Sequence, residues 1–413
     1  MLHKFGCAGS APCRRHRFGA GERGEMKRAQ LPLQTFDLIA GFMVWVILSS
    51  LLPYIKHDIF IPDDMVALVT AVPVILGSVL RIPFGYYANL LGARTVFLAS
   101  FVALLFPVYF ISEASTYVDL LIGGVFLGFG GAIFSVGVTS LPKYYPKEKH
   151  GFVNGVYGFG NMGTAITTYA APVLAVHFGW QLAVKFYLGL LLAMVALNFF
   201  LGDRGEPRVK TPIARQIKAV WKNEKLWFFS LFYFVTFGAF VAFTVFLPNF
   251  LVSDFGIDGV TAGILTSVFI VTAACVRVLG GWLSDRLDCW GLLIGVFAGM
   301  IAGALVLAML PGFELFMVGV YVISIACGIG NGVVFKLVPT YFVEQAGPVN
   351  GIVSMMGGLG GFFPPLVLSA FLSATGSYTL GFVAFACFIL ACLASVVWLK
   401  RSESRKRRGV AAE

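Results

Sequence analysis

The chain has 413 residues, is 58% hydrophobic and only 12% charged, and has a mean hydropathy of +0.87. A soluble domain is nearer one-quarter charged, so the composition excludes an ordinary soluble globular chain and points to a helical protein that crosses a membrane many times. The net charge of +10 does not imply a nucleic-acid partner, because the basic residues lie in loops and tails, where the positive-inside rule collects them.

Residues 1–25, MLHKFGCAGSAPCRRHRFGAGERGE, are basic and glycine-rich with no apolar stretch, so they are not a secretory signal. Met26 opens MKRAQLPLQTFDLIAGF, which reads as a natural membrane-protein start. A disordered tail or an over-extended start is therefore expected ahead of it. His3, Cys7, Cys13 and His16 fit no standard metal-ligand spacing. The other five cysteines lie in or beside apolar segments, as small soft packing residues do.

Twelve apolar segments follow. They cover 36–55, 64–86, 95–112, 118–141, 151–175 and 180–201, then 226–251, 260–283, 290–310, 314–338, 349–372 and 378–399. Each is near the roughly 20 residues needed to span a bilayer. The expected organisation is an all-α membrane protein of twelve transmembrane helices in two six-helix lobes. A cytoplasmic N-terminal tail (1–35) leads into the first lobe (36–201). A central cytoplasmic loop (202–225), a second lobe (226–399) and a basic cytoplasmic tail (400–413) follow. With the N-terminus inside, 25 Lys and Arg fall in inside segments and one, Lys56, falls outside. That asymmetry predicts an inner-membrane protein with both termini cytoplasmic.

The halves repeat. Arg81 and Arg277, Gly85 and Gly281, and the Asn154-Gly155 and Asn350-Gly351 pairs each recur at an offset of 196. GFGGAIF at 128–134 resembles GIGNGVVF at 328–335. Parallel repeats of this kind mark a two-lobed transporter with its substrate path between the lobes.

Arg81, in GSVLRIPFG, and Arg277, in AACVRVLGG, lie inside predicted spans. A membrane-buried arginine cannot shed its charge and needs a partner, a cavity or the headgroup region. Snorkelling to the interface is one account of a single arginine. Two at matched positions would face each other across the lobe interface and offer two guanidinium forks to a small oxyanion. Asp37, Glu113, Asp119, Glu314 and Glu344 sit near predicted segment ends, so no span carries a central carboxylate. The interior field is positive and the cargo should be negative.

The fifth segment carries Gly155, Gly158, Gly160 and Gly163, and the eleventh carries Gly357, Gly358, Gly360 and Gly361. Such tracks allow close helix packing and sliding between helices. Asn161, amid the first track, can donate an amide N–H to an anion or bond a neighbouring helix.

GFGNMG at 158–163 and GGLGG at 357–361 resemble the paired signature motifs of the nitrate/nitrite porter family of the major facilitator superfamily. GSVLRIPFG and VRVLGGWLSDR resemble its arginine motifs, and GFGGAIFSVG and GIGNGVVFKLVP its fourth and tenth helices. The likeness runs in order from about residue 33 to 400. GWLSDR keeps Asp285 and Arg286 as a gating loop, whereas GYYANLLGAR has Asn89 where the facilitator loop often has Asp. The resemblance implies nitrate bound between Arg81 and Arg277. Phe134 would stack on the anion, and Tyr233 and Phe237 would approach on one face of the seventh helix. Asn161 would line the site from the fifth helix and Ser354 from the eleventh. Lys336 resembles the lysine of the branch regarded as proton-coupled symporters, and burial beside other cations would let it titrate. Its other reading, and that of Lys185, is a snorkelling lysine.

The expected activity is proton-coupled nitrate import by alternating access, with nitrate/nitrite exchange second and a membrane nitrate sensor third. The expected partners are nitrate, nitrite, protons and the lipid bilayer. No enzyme activity, cofactor, metal or nucleic acid is called for, and a monomer is expected.

Overall fold

A computed structural model describes residues 20–208, 212–342 and 346–410. The tail motif with His3, Cys7, Cys13 and His16 lies outside the described residues, as does Glu344. The described residues form helices joined by short turns. The first crossing is α1 (Ala20–Trp45) with α2 (Ile47–Asp58), and the second is α3 (Asp63–Val79) with α4 (Arg81–Leu91). α5 (Ala93–Ser112) is the third, and α6 (Tyr117–Ala132) with α7 (Phe134–Ser140) the fourth. The fifth is α8 (His150–Gly158) and α9 (Met162–Phe178), joined by a 3-10 turn at Phe159–Asn161. α10 (Trp180–Leu201) is the sixth. The second lobe holds α12 (Glu224–Phe255), α13 (Gly259–Ser284), α14 (Cys289–Ala308), α15 (Phe313–Tyr341), α16 (Ala346–Thr375) and α17 (Thr379–Val410), after a short α11 (Ile213–Val220) within the predicted central loop.

Among the described residues, eleven helical stretches are long and apolar enough to cross a membrane as single spans. The predicted fifth segment is divided by its 3-10 turn into pieces of 9 and 17 residues, each too short alone. Local chemistry sets several ends. Thr116 and Asp119 form a reciprocal capping box at the start of α6. The Asp258 and Asp288 side chains accept from the first free amides of α13 and α14. Gly256 closes α12 in the left-handed conformation, φ 66°, that glycine adopts without strain.

The lobes meet along two seams, α13 against α8 and α9, and α16 against α3 and α4. The first lobe's crossings are interrupted at Leu80, Ile133 and Phe159–Asn161, next to Arg81, Phe134 and Asn161, whereas α12, α13, α15 and α16 run through.

The outer boundaries depart from expectation. α1 begins at Ala20 rather than near 36, and α17 runs to Val410 rather than 399. The polar residues at the start of the first crossing find partners on a neighbouring helix: the Gln30 Nε2 donates to the Leu201 carbonyl, 3.3 Å away. Asp37 is consequently not an end residue. It is fully buried within the first crossing, which corrects the expectation that Asp37 sits near a segment end.

Candidate anion site between the lobes

Arg81 opens α4, just past the break at Leu80, and Arg277 lies well inside α13. Both are buried, 0% and 1% exposed. Arg81 donates through Nε to the Gly131 carbonyl (3.2 Å) and through Nη1 to the Ser354 carbonyl across the lobe interface (2.6 Å). Among the described residues Arg277 reaches only the Tyr233 hydroxyl, at 3.5 Å through Nη2. Arg81 Nη2, Arg277 Nε and Arg277 Nη1 are buried with no hydrogen-bond partner among the described residues. Among the described residues neither arginine pairs with a carboxylate.

One ring stands between the two cations. Phe134 lies 5.3 Å from the Arg81 Cζ and 5.2 Å from the Arg277 Cζ. Phe237 lies 4.9 Å from Arg81, and Phe335 lies 5.9 Å from Arg277. Tyr233 and Phe237 stack at 4.9 Å, as residues four apart on one helix face can. A desolvated cation–π contact contributes about 2 kcal/mol, less than the several kcal/mol it costs to bury one ion. The aromatic box therefore only partly offsets two buried guanidinium groups. A monovalent oxyanion offers the missing acceptors and charge together.

The structure brings together Arg81, Arg277, Phe134, Tyr233 and Phe237 from the sequence reading. Asn161 is buried on the 3-10 turn, and its Oδ1 has no protein partner. Ser354 reaches the site through its carbonyl, because its hydroxyl bonds Ser135 and the Gly351 carbonyl, both at 3.1 Å. Lys336 is not among the site cations. It forms a 2.6 Å ion pair with Asp285, so the expectation of a lysine buried beside other cations is replaced by one held by a carboxylate. Arg286 stacks over Trp282 at 4.1 Å. Lys185 pairs with Glu113, 2.6 Å, on an exposed surface.

Two site residues escaped the sequence reading. Phe335 packs edge-on to Phe134 (5.3 Å) and Tyr233 (4.8 Å). It closes GIGNGVVF as Phe134 closes GFGGAIF, so the repeat carried the signal. Tyr157 packs on Phe134 at 5.8 Å and donates to the Ile133 carbonyl. Nothing in its sequence context separates it from other helix tyrosines.

The signature glycines divide by what they face. A methyl at Gly158 would sit 2.5 Å from the Arg277 Cζ, and one at Gly357 would sit 2.5 Å from the Tyr233 Cε1. Gly155 faces the other lobe, 3.2 Å from Val278. Gly358 meets Ser78 across the second seam. Gly160 and Gly163 seat α1 at Leu38 and Ile39, and Gly360 and Gly361 seat α12 at Phe234 and Val241.

At one end of the lobe interface the Asp285 Oδ2 accepts the Phe152 N–H of α8, 3.0 Å, while Lys336 holds Oδ1 and also donates to the Lys147 carbonyl at 3.4 Å. This end carries the basic loops. Asn154 and Asn350 cross the interface as a matched pair, donating to the Phe335 and Val138 carbonyls at 3.4 and 3.1 Å.

Two lobes around a buried, carboxylate-free arginine pair define a secondary transporter of the alternating-access kind. The family model described as Major Facilitator Superfamily matches residues 38–365. The chain is 54% identical over 377 residues to a nitrite extrusion protein of Bacillus subtilis, covering 91% of this chain and 95% of the relative. It is 51% identical over 379 residues to a probable nitrate transporter of Staphylococcus epidermidis, covering 92% and 98%. The crystal structure of the human organic anion transporter MFSD10 superposes with a TM-score of 0.73 at 14% identity, over 90% of this chain and 99% of that one, a likeness of fold. The chain belongs to the Major Facilitator Superfamily and, within it, to the nitrate/nitrite porters.

Proposed function

We propose that this protein carries nitrate across the bacterial cytoplasmic membrane as a multi-pass carrier, importing it with protons. The observation that carries the reading is the pair of buried guanidinium groups on one phenyl ring, with three unpartnered nitrogens and no paired carboxylate. In this reading the basic end, with the Asp285 latch, faces the cytoplasm, as the Lys and Arg distribution predicts. Empty, the two cations repel; an anion between them offsets that repulsion and favours the closed arrangement, so occupancy biases the rocking of the lobes. Lys336 follows Phe335 on α15, and one side chain packs at Arg277 while the other holds the gate carboxylate. That adjacency supports a role for Lys336 in coupling site occupancy to the gate.

Nitrate/nitrite exchange is the second reading, favoured by the name of the Bacillus subtilis relative and by two forks that suit either anion. Purified protein in liposomes separates the two. Nitrate uptake into nitrite-free vesicles that follows an imposed pH gradient is the expected result. Uptake that needs internal nitrite and ignores the gradient overturns symport in favour of exchange.

A further inference from the structure

Asp37 is a buried carboxylate that the anion site leaves unused. It lies on α1, 0% exposed, against α10. The Asn198 Nδ2 donates to its Oδ1, and its Oδ2 has no hydrogen-bond partner. Among the described residues it forms no ion pair with a lysine, arginine or histidine. An unpaired ionised carboxylate is expensive to hold in a membrane interior, and the protonated acid is far cheaper.

The surroundings give a proton somewhere to go. Gln30, Gln34 and Asp37 are spaced four and three apart and so share one helix face, and all three are buried. Gln30 bonds the Leu201 carbonyl at the end of α10, and Gln34 bonds the Ser140 hydroxyl, 3.1 Å, at the end of α7. The Gln34 Oε1 and the neighbouring Thr139 hydroxyl are buried and unpartnered. A polar line thus runs from the basic face to Asp37. On the inner side, Leu38 packs on Gly160, next to Asn161.

The charged and titratable groups facing this stretch from the packed helices are few. Arg94 of α5 donates to the carbonyl, not the side chain, of Asn198. Tyr157 of α8 bonds Ile133, and Tyr187 of α10 bonds Thr167. Lys143 and His150, nearer the basic face, are taken by Glu206 and the Tyr145 carbonyl. The ionisable residues of α2, α6 and α9 lie toward the opposite face.

We propose that Asp37 is a proton-binding site of the transport cycle. In the closed arrangement the carboxyl holds the proton. When the basic face opens, water enters along Gln34 and Ser140, the proton leaves the carboxyl for that water, and the carboxylate left behind is hydrated. The proposal rests on the proton-coupled reading above.

The test uses wild type and Asp37→Asn in liposomes, with infrared difference spectra of both proteins across the pH range. Asparagine keeps the size and neutrality of the protonated acid. Asp37→Asn is expected to retain nitrate counterflow, which moves no net proton, and to lose accumulation driven by a pH gradient. A carboxylic-acid band that titrates in wild type should be missing from the variant. Gradient-driven accumulation by Asp37→Asn, or identical spectra of the two proteins, overturns the assignment. Should wild type itself ignore the gradient, the symport reading falls and Asp37 as a proton site of the cycle falls with it, whereas accumulation lost only in the variant, with the band, supports both.

Discussion

Phe134 concentrates the chemistry of this protein in one side chain. Its ring is within 5.3 Å of both arginine Cζ atoms and touches Tyr157, Phe237 and Phe335. Its partners become visible in sequence through the repeat, which pairs Arg81 with Arg277, and through the four-residue step from Tyr233 to Phe237. Ser354 shows the limit of such reading: a side chain was expected to line the site, and a backbone carbonyl meets Arg81 instead. Asp37 shows another. It lies inside the first crossing because α1 begins well before residue 36, and the charged MKRAQ stretch conceals that start. Gly158 provides a residue-scale test. A methyl group there would collide with the Arg277 guanidinium, so Gly158→Ala should abolish nitrate uptake while the purified protein remains monodisperse. Uptake equal to wild type would show that Arg277 has room to move aside.

At the scale of elements, the repeat is kept in the spans and broken at the basic end of the lobe interface. Asp285 accepts from the amide of Phe152, which gives α8 a charged cap. The matching positions in the other seam, at the offset of 196, are Asn89 and Pro348. Proline has no N–H to donate, so that seam lacks both halves of the contact. Asn89 was legible as a departure; the loss of its partner emerges only when the seams are compared. Asp285→Ala should therefore loosen the basic end on the α8 side alone. A lost cap costs about 1 kcal/mol, so amide exchange at the start of α8 should rise about fivefold. Unchanged exchange there would mean that the latch carries no strain from the gate.

A second matched pair is retained. Glu206 accepts from Lys143 and from the Ala93 amide, at 2.9 and 2.7 Å. Glu403, 197 positions on, accepts from Lys225, Tyr341 and Trp290 at 2.6, 2.6 and 3.1 Å. Each clamps helix ends of its own lobe. Glu206→Ala leaves Lys143 and a helix-end amide unpaired, and hydrogen bonds to charged groups contribute about 1.5–3 kcal/mol. The melting temperature should fall measurably with transport retained. An unchanged melting temperature would remove Glu206 from the account of stability.

Over the whole molecule, the all-α membrane fold and its two lobes were readable because membrane spans are long and apolar and because the halves repeat. The interruptions at Leu80, Ile133 and Phe159–Asn161 were not, since the segments read as continuous apolar runs and only packing against the other lobe distinguishes a break from a helix. Those breaks fall beside Arg81, Phe134 and Asn161, whereas α12, α13, α15 and α16 run on without interruption. The account stands on two guanidinium forks sharing one anion. Its most direct test is nitrate uptake by Arg81→Lys and Arg277→Lys in liposomes, where each lysine keeps the charge and loses the fork. Each loses charge-assisted bonds contributing about 1.5–3 kcal/mol, so uptake at limiting nitrate should fall about tenfold to a hundredfold or more in both. Wild-type uptake by either variant would contradict the two-arginine site.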